Sequence, residues 1–169
     1  YWSLTHTGVI LDDPNYTIGD VPISSGILDF PFDDDTKYST LAIECDTNPA
    51  VRAVLITGSG KMFCAGGDLK EMVDSGMKVP PRDMFPLPYD TVELSKPTIA
   101  AVQGACVAAG LMLIWPMDLI VAADNSRFSD PVINMAIGGV EYHGHTWEFG
   151  PRKAKEMLFT GRWMNAEEA

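Results

Sequence analysis

The clearest signal in the chain is the rhythm of apolar residues after Asn48-Pro49. Val51–Thr57 (VRAVLIT) is a β-branched run bounded by Pro49 and Gly58, which predicts a buried strand. Gly58-Ser59-Gly60-Lys61 reads as a turn. Beyond it the period changes. Leu69, Met72 and Val73 share one helical face, and Asp68 with Glu71 forms a capping box at its start. Residues 75–97 hold five prolines and predict a long loop, with a short helical turn near 91–95.

Residues 97–117 carry no charge, a length that would cross a bilayer. Gln103, Gly104, Gly110 and Pro116 interrupt the run, so it is better read in pieces. These are a buried strand over 98–103, a turn at Gly104, and a helix over 108–115 ended by Pro116. Residues 118–123 (DLIVAA) predict another buried strand, and 126–131 a shorter extended piece. Pro151 opens a helix with Ala154, Met157 and Leu158 on its apolar stripe, and Gly161 closes it. Asn165 then reads as an N-cap with Glu168 as its reciprocal partner. Strands alternating with helices give an α/β fold.

Residues 1–46 are a different segment. Turn residues punctuate it, and Val9–Leu11 and Ile27–Phe30 are candidate edge strands. It carries nine acidic residues against Lys37 alone, a net of −8 within a whole-chain charge of −11. The division is therefore an acidic segment, 1–46, and an α/β core, 47–169. A surface of this sign repels polyanions, so nucleic acid is excluded as a partner, while the core keeps enough basic residues to hold an anionic ligand locally. The 46% hydrophobic content is that of a globular chain. Three cysteines with no C-x-x-C spacing fit reduced thiols in the cytoplasm, and no basic, apolar leader opens the chain.

Two small-residue segments, Phe63–Asp68 and Gly104–Gly110, each lead into a predicted helix. The first amides of a helix have no internal partner and favour negative charge. Two such amides aimed at one point would make an oxyanion hole. Tight packing of small side chains is the plainer explanation of the same residues. A P-loop is excluded, since Gly60-Lys61 is followed by Met62. A dinucleotide fingerprint from Gly58-Ser59-Gly60 is excluded by Phe63.

Residues 51–72 (VRAVLITGSGKMFCAGGDLKEM) resemble the first signature of the crotonase superfamily, the enoyl-CoA hydratase/isomerase proteins. Residues 96–131 resemble its second signature and 150–169 the stretch that follows. The resemblance implies a crotonase-like ββα spiral core, here lacking the family's C-terminal helical section. It implies an acyl-CoA thioester as substrate, with coenzyme A entering as part of that substrate and no separate cofactor or metal. It also implies a homo-oligomer, trimer or hexamer, for the full-length protein, and no membrane partner. By position, Gly67 and Ala109 would donate the two oxyanion amides. Ala65, Gly66, Asp68 and Leu69 would line the path of the coenzyme A, with Gly110, Met112 and Val132 around the acyl group.

The same resemblance exposes a departure. The family's hydratases use two glutamates, at the positions of Met112 and Val132 here. Neither replacement can move a proton. Glu141, in the segment Gly138–His145, is the candidate replacement acid/base, with Tyr142 or His143 assisting. Asp130 is a second candidate, although strand alternation is expected to turn its side chain to the other face. His143 and His145 read as a surface or pocket pair, too few ligands for a metal. Cys64 and Cys106 read as packing residues. The functional expectation is an enoyl-CoA hydratase/isomerase-type lyase or isomerase of fatty acid metabolism that stabilises an enolate. The alternative is a CoA-thioester-binding protein without catalysis, or an inactive fragment.

Overall fold

The computed structural model describes residues 17–18, 21–22, 45–49, 51–58, 60–66, 94–136 and 143–169. The expected strands at 9–11 and 27–30, the Asp68 helix, the helical turn before Leu94 and the Glu141 loop lie outside the described residues. Within residues 1–46, Thr17–Ile18 (β1) pairs antiparallel with Val21–Pro22 (β2).

The remaining strands fall into two small sheets. Val54–Thr57 (β3), Thr98–Val102 (β4) and Leu119–Ala122 (β6) form one, parallel throughout, in the order β3-β4-β6. Ala105–Val107 (β5), Arg127–Ser129 (β7) and Met164–Asn165 (β8) form the other, with β5 and β7 parallel and β7 and β8 antiparallel. Helix α1, Ala109–Ile114, follows β5, and helix α2, His145–Thr160, comes between β7 and β8 in the chain.

The connectivity repeats. β4, β5 and α1 form one unit, and β6, β7 and α2 the next. β6 lies beside β4 and β7 beside β5, so each unit adds one strand to each sheet. The unit before follows the same rule, because β3 pairs with β4 and Cys64 bridges to Cys106 in β5. This is the expected ββα spiral. Parallel strands need long crossovers, and the one from β4 to β6 contains β5 and α1.

The core sits between the sheets and around α1. Val54, Ile56, Ala100 and Val102 point into it from the first sheet. Gly110 to Trp115 are all buried, so α1 is apolar on every side because it is surrounded on every side. That explains a charge-free stretch long enough to suggest a membrane span. It is instead two strands, a turn at Gly104 and a short helix, and no described helix is long and apolar enough to cross a membrane.

One strand is new and two expectations need correction. The new strand is β5: its three residues (ACV) are small, follow Gly104 and carry no strand pattern of their own. β6 is not buried: Leu119 is 58% and Val121 61% exposed, because β6 is the edge strand of its sheet among the described residues. α2 starts at His145 rather than Pro151, with a break at Gly150 (φ 74°, ψ 162°). Proline disfavours a helical residue before it and cannot donate to the preceding turn. Residues 145–149 and 151–160 are thus two helical pieces, and Pro151 does open the second. Gly161, at φ 64°, closes it as expected, and Ala154 and Met157 are buried. The Asn165 capping box forms in both directions: the Glu168 amide donates to Asn165 Oδ1 (2.9 Å) and the Asn165 amide to Glu168 Oε2 (3.2 Å).

Candidate active site

The site is built where β5 ends. The Cys64 carbonyl accepts the Val107 amide at 2.9 Å, and the Ala105 carbonyl accepts the amides of Phe63 and Cys64 at 3.1 Å. These bonds lay residues 63–66 alongside β5. Gly66, at φ 103°, lies beside Val107 and Ala108: a Cβ built on it would stand 3.5 Å from the Val107 carbonyl oxygen. Gly67, Asp68 and Leu69, which follow it, lie outside the described residues, as does Glu141. Ala65 is exposed and Gly66 buried.

On the other strand the chain turns sharply into α1. Ala108 takes φ 47° and ψ −105°, a conformation rare for a residue with a Cβ, and costs about 1–3 kcal/mol. Its amide donates to the Ser129 carbonyl (3.0 Å), and its own carbonyl accepts the Leu111 and Met112 amides (2.9 and 3.2 Å). The helix's own bonds thus begin at Leu111. The amides of Ala109 and Gly110 belong to the first turn and have no acceptor within the helix. Gly110 is required by packing, since a Cβ there would meet Cys64 Cβ at 2.9 Å and Cys106 Sγ at 3.1 Å. That contact seats the start of α1 against the strands carrying Cys64 and Cys106.

Both thiols are buried, and burial pushes each upward in pKa, Cys106 well above the ordinary thiol range. They are protonated and poor nucleophiles, in keeping with packing residues. Met112 is buried in the core, and Val132 is half-buried at the start of a 3-10 turn, Val132–Met135.

The two histidines do not act together. His143 is exposed, while His145 is 1% exposed. His145 Nε2 lies 2.9 Å from Asp130 Oδ2, and Asp130 is itself 3% exposed. The Asp130 side chain is thus held inside the protein by a partner that sequence spacing did not suggest. Signals for it existed only as types: an acid after β7 and a histidine fifteen residues on.

A cavity of about 340 Å³ lies at the other end of α1, lined by Ile114, Trp115, Phe128, Glu148 and Phe149 among others. It contains none of the expected site residues. Glu148 is raised in pKa by partial burial.

A known family shares this arrangement. Residues 40–169 match the family model described as enoyl-CoA hydratase/isomerase. EchA13 of Mycobacterium tuberculosis, named provisionally as an enoyl-CoA hydratase, is 36% identical over 90% of this chain and 58% of its own length. The mevalonyl-coenzyme A hydratase of Aspergillus fumigatus is 38% identical over 73% of this chain and 47% of its own. Among solved structures, a probable enoyl-CoA hydratase from Mycobacterium smegmatis is 46% identical, with a TM-score of 0.66 over 79% of this chain and 55% of that one. The chain thus spans about half the length of the relatives it matches. The repeated ββα units, the small-residue turn into α1 and the matched family model lead to one conclusion: this chain belongs to the enoyl-CoA hydratase/isomerase family.

Proposed function

We propose that this chain binds an acyl-CoA thioester and stabilises its enolate with backbone amides, Ala109 at the start of α1 and Gly67 after Gly66. The observation that carries the reading is the junction of β5 and α1. It leaves the Ala109 amide outside the helix's own bonds and sets Gly66 beside Val107 and Ala108. An amide donor held in place before reaction needs no reorganisation as charge develops, and one such donor is worth about 3 kcal/mol of barrier. Ala65, Gly66, Asp68 and Leu69 follow the coenzyme A, and Gly110, Met112 and Val132 border the acyl group.

With Met112 and Val132 in place of the family's glutamates, the two-carboxylate hydration mechanism lacks its proton carriers. The acid/base is supplied instead from the segment joining β7 to α2, where Glu141 is the sequence candidate. A single shuttling carboxylate suits double-bond isomerisation best. The same two replacements favour a second reading, binding of the thioester without turnover.

Titration calorimetry with crotonyl-CoA, followed by its conjugated-thioester absorbance, separates these readings. Micromolar binding with a fall in absorbance, or with a rise when the unconjugated isomer 3-butenoyl-CoA is supplied, supports an enzyme. Binding with constant absorbance across several acyl-CoAs supports the binding protein. Failure to bind any of them contradicts both.

A further inference from the structure

The Asp130–His145 pair is a buried, hydrogen-bonded acid and imidazole, and the proposed function leaves it without a task. Its hydrogen bond uses one atom of each side chain. Asp130 Oδ1 and His145 Nδ1 are both buried and have no hydrogen-bond partner among the described residues. A buried carboxylate oxygen without a donor is costly, and such groups are rare in folded proteins outside functional sites.

Placement narrows what the open oxygen is for. β5 and β7 run in parallel with Val107 opposite Ser129. The next step along both strands sets Asp130 beside Ala108, and the Ala108 amide bonds the carbonyl of the residue just before Asp130. Adjacent strands lie about 4.8 Å apart. Asp130 therefore starts one strand spacing from the residue that precedes the Ala109 amide. His145 packs edge-on against Trp115, with ring centroids 4.5 Å apart. Trp115 stands one helical turn beyond Met112 on the same side of the chain. The pair thus reaches from the start of α1, beside Ala108, to its C-terminal end at Trp115.

The geometry points to Asp130 as the proton acceptor of this site, with His145 as the positioning residue that fixes its carboxylate. This rests on the thioester reading above and assigns the base to Asp130 in place of Glu141. In the step, Asp130 Oδ1 takes a proton from the carbon next to the thioester carbonyl. The C–H electron pair becomes the carbon–carbon double bond of the enolate. The carbonyl pair moves onto oxygen, which the Ala109 amide holds. The return of the proton from the carboxyl group reverses each move. For Asp130 to accept that proton, its carboxylate must take the Oδ2 hydrogen bond from an N–H, so the step requires His145 Nε2 as the donor. That bond leaves Oδ1 free to act.

The test is deuterium exchange into butyryl-CoA in heavy water, followed by mass spectrometry, with binding and thermal melts measured on each variant. Wild type is expected to exchange. Asp130→Asn is expected to bind butyryl-CoA within about threefold of wild type and to exchange at least 100-fold more slowly, the range for loss of a general base. His145→Gln, which can still donate to Oδ2, retains exchange within about tenfold, whereas His145→Leu falls with Asp130→Asn. A purely structural pair would instead lose binding and melting temperature together. Should Asp130→Asn melt early, the two His145 variants decide: equal exchange rates overturn the assignment. Exchange in Asp130→Asn within threefold of wild type, or loss in Glu141→Gln alone, also overturns it and leaves the thioester reading intact. Wild-type binding without exchange overturns the assignment and leaves thioester binding standing. A wild type that neither binds nor exchanges overturns both.

Discussion

Single residues at the start of α1 are constrained in opposite directions. Ala108 carries a Cβ in a conformation that suits glycine, so Ala108→Gly removes strain. A gain of about 1 kcal/mol is expected, a rise of about 2–4 °C in melting temperature for a chain of this size. An unchanged or lower melting temperature would show that the conformation costs nothing here. Gly110 is the reverse case. Its missing side chain is what lets α1 rest on Cys64 and Cys106. Gly110→Ala forces that contact apart and is expected to cost about 1–3 kcal/mol, measurable by urea denaturation. The requirement for a small residue at 110 was legible in the sequence. The residue against which it packs was not, because Cys64 lies in a different unit of the spiral. Asp130 shows the same limit more strongly. Strand alternation spoke only to which face its side chain takes, while its burial depends on His145, and no local pattern links them.

At the scale of elements, the sequence was readable where local chemistry alone sets the boundary. Gly104, Gly161 and the Asn165–Glu168 box all stand where their residue types placed them. β5 was missed because three small residues carry too little pattern, and its strand character comes from pairing with β7. β6 was read as buried because an apolar run looks the same at an edge as in the middle of a sheet. Carboxylates join several of these elements. Asp118 accepts the Thr98 amide (2.7 Å) and hydroxyl (2.9 Å), tying the start of β6 to the start of β4. Those two bonds hold the Asp118 pKa below the ordinary carboxylate range. Bonds from Ser95 do the same for Asp46, and Arg162 with the Asn165 amide for Glu168. A carboxylate lowered on folding contributes stability above its unfolded pKa, and that contribution is lost as pH falls through the folded one. The chain is expected to hold its melting temperature from neutral pH down to about pH 4 and to lose it below. Asp118→Asn should flatten part of that acid limb. A limb unchanged by the substitution would show that the Thr98 clasp contributes nothing.

For the whole molecule, the spiral explains why the thiols are silent. Cys45, Cys64 and Cys106 are all buried. An Ellman's assay is expected to titrate three thiols in denaturant and to proceed slowly in the native state, paced by opening of the fold. Rapid reaction of one thiol in the native protein would place it at the surface. The family itself was legible from three motifs in order, two of which carry the small residues that close approach of backbone requires. Its chemistry was less legible, since the two usual proton carriers are replaced and the replacement must come from a contact across the fold.

The account stands or falls on where a thioester oxygen sits. A crystal structure of the chain with bound butyryl-CoA tests this directly. The account expects the carbonyl oxygen about 2.7–3.1 Å from the Ala109 amide nitrogen, the distance for an oxyanion donor, with the neighbouring carbon facing Asp130. A thioester bound with its carbonyl away from Ala109, for example in the cavity beside Trp115 and Glu148, would contradict it.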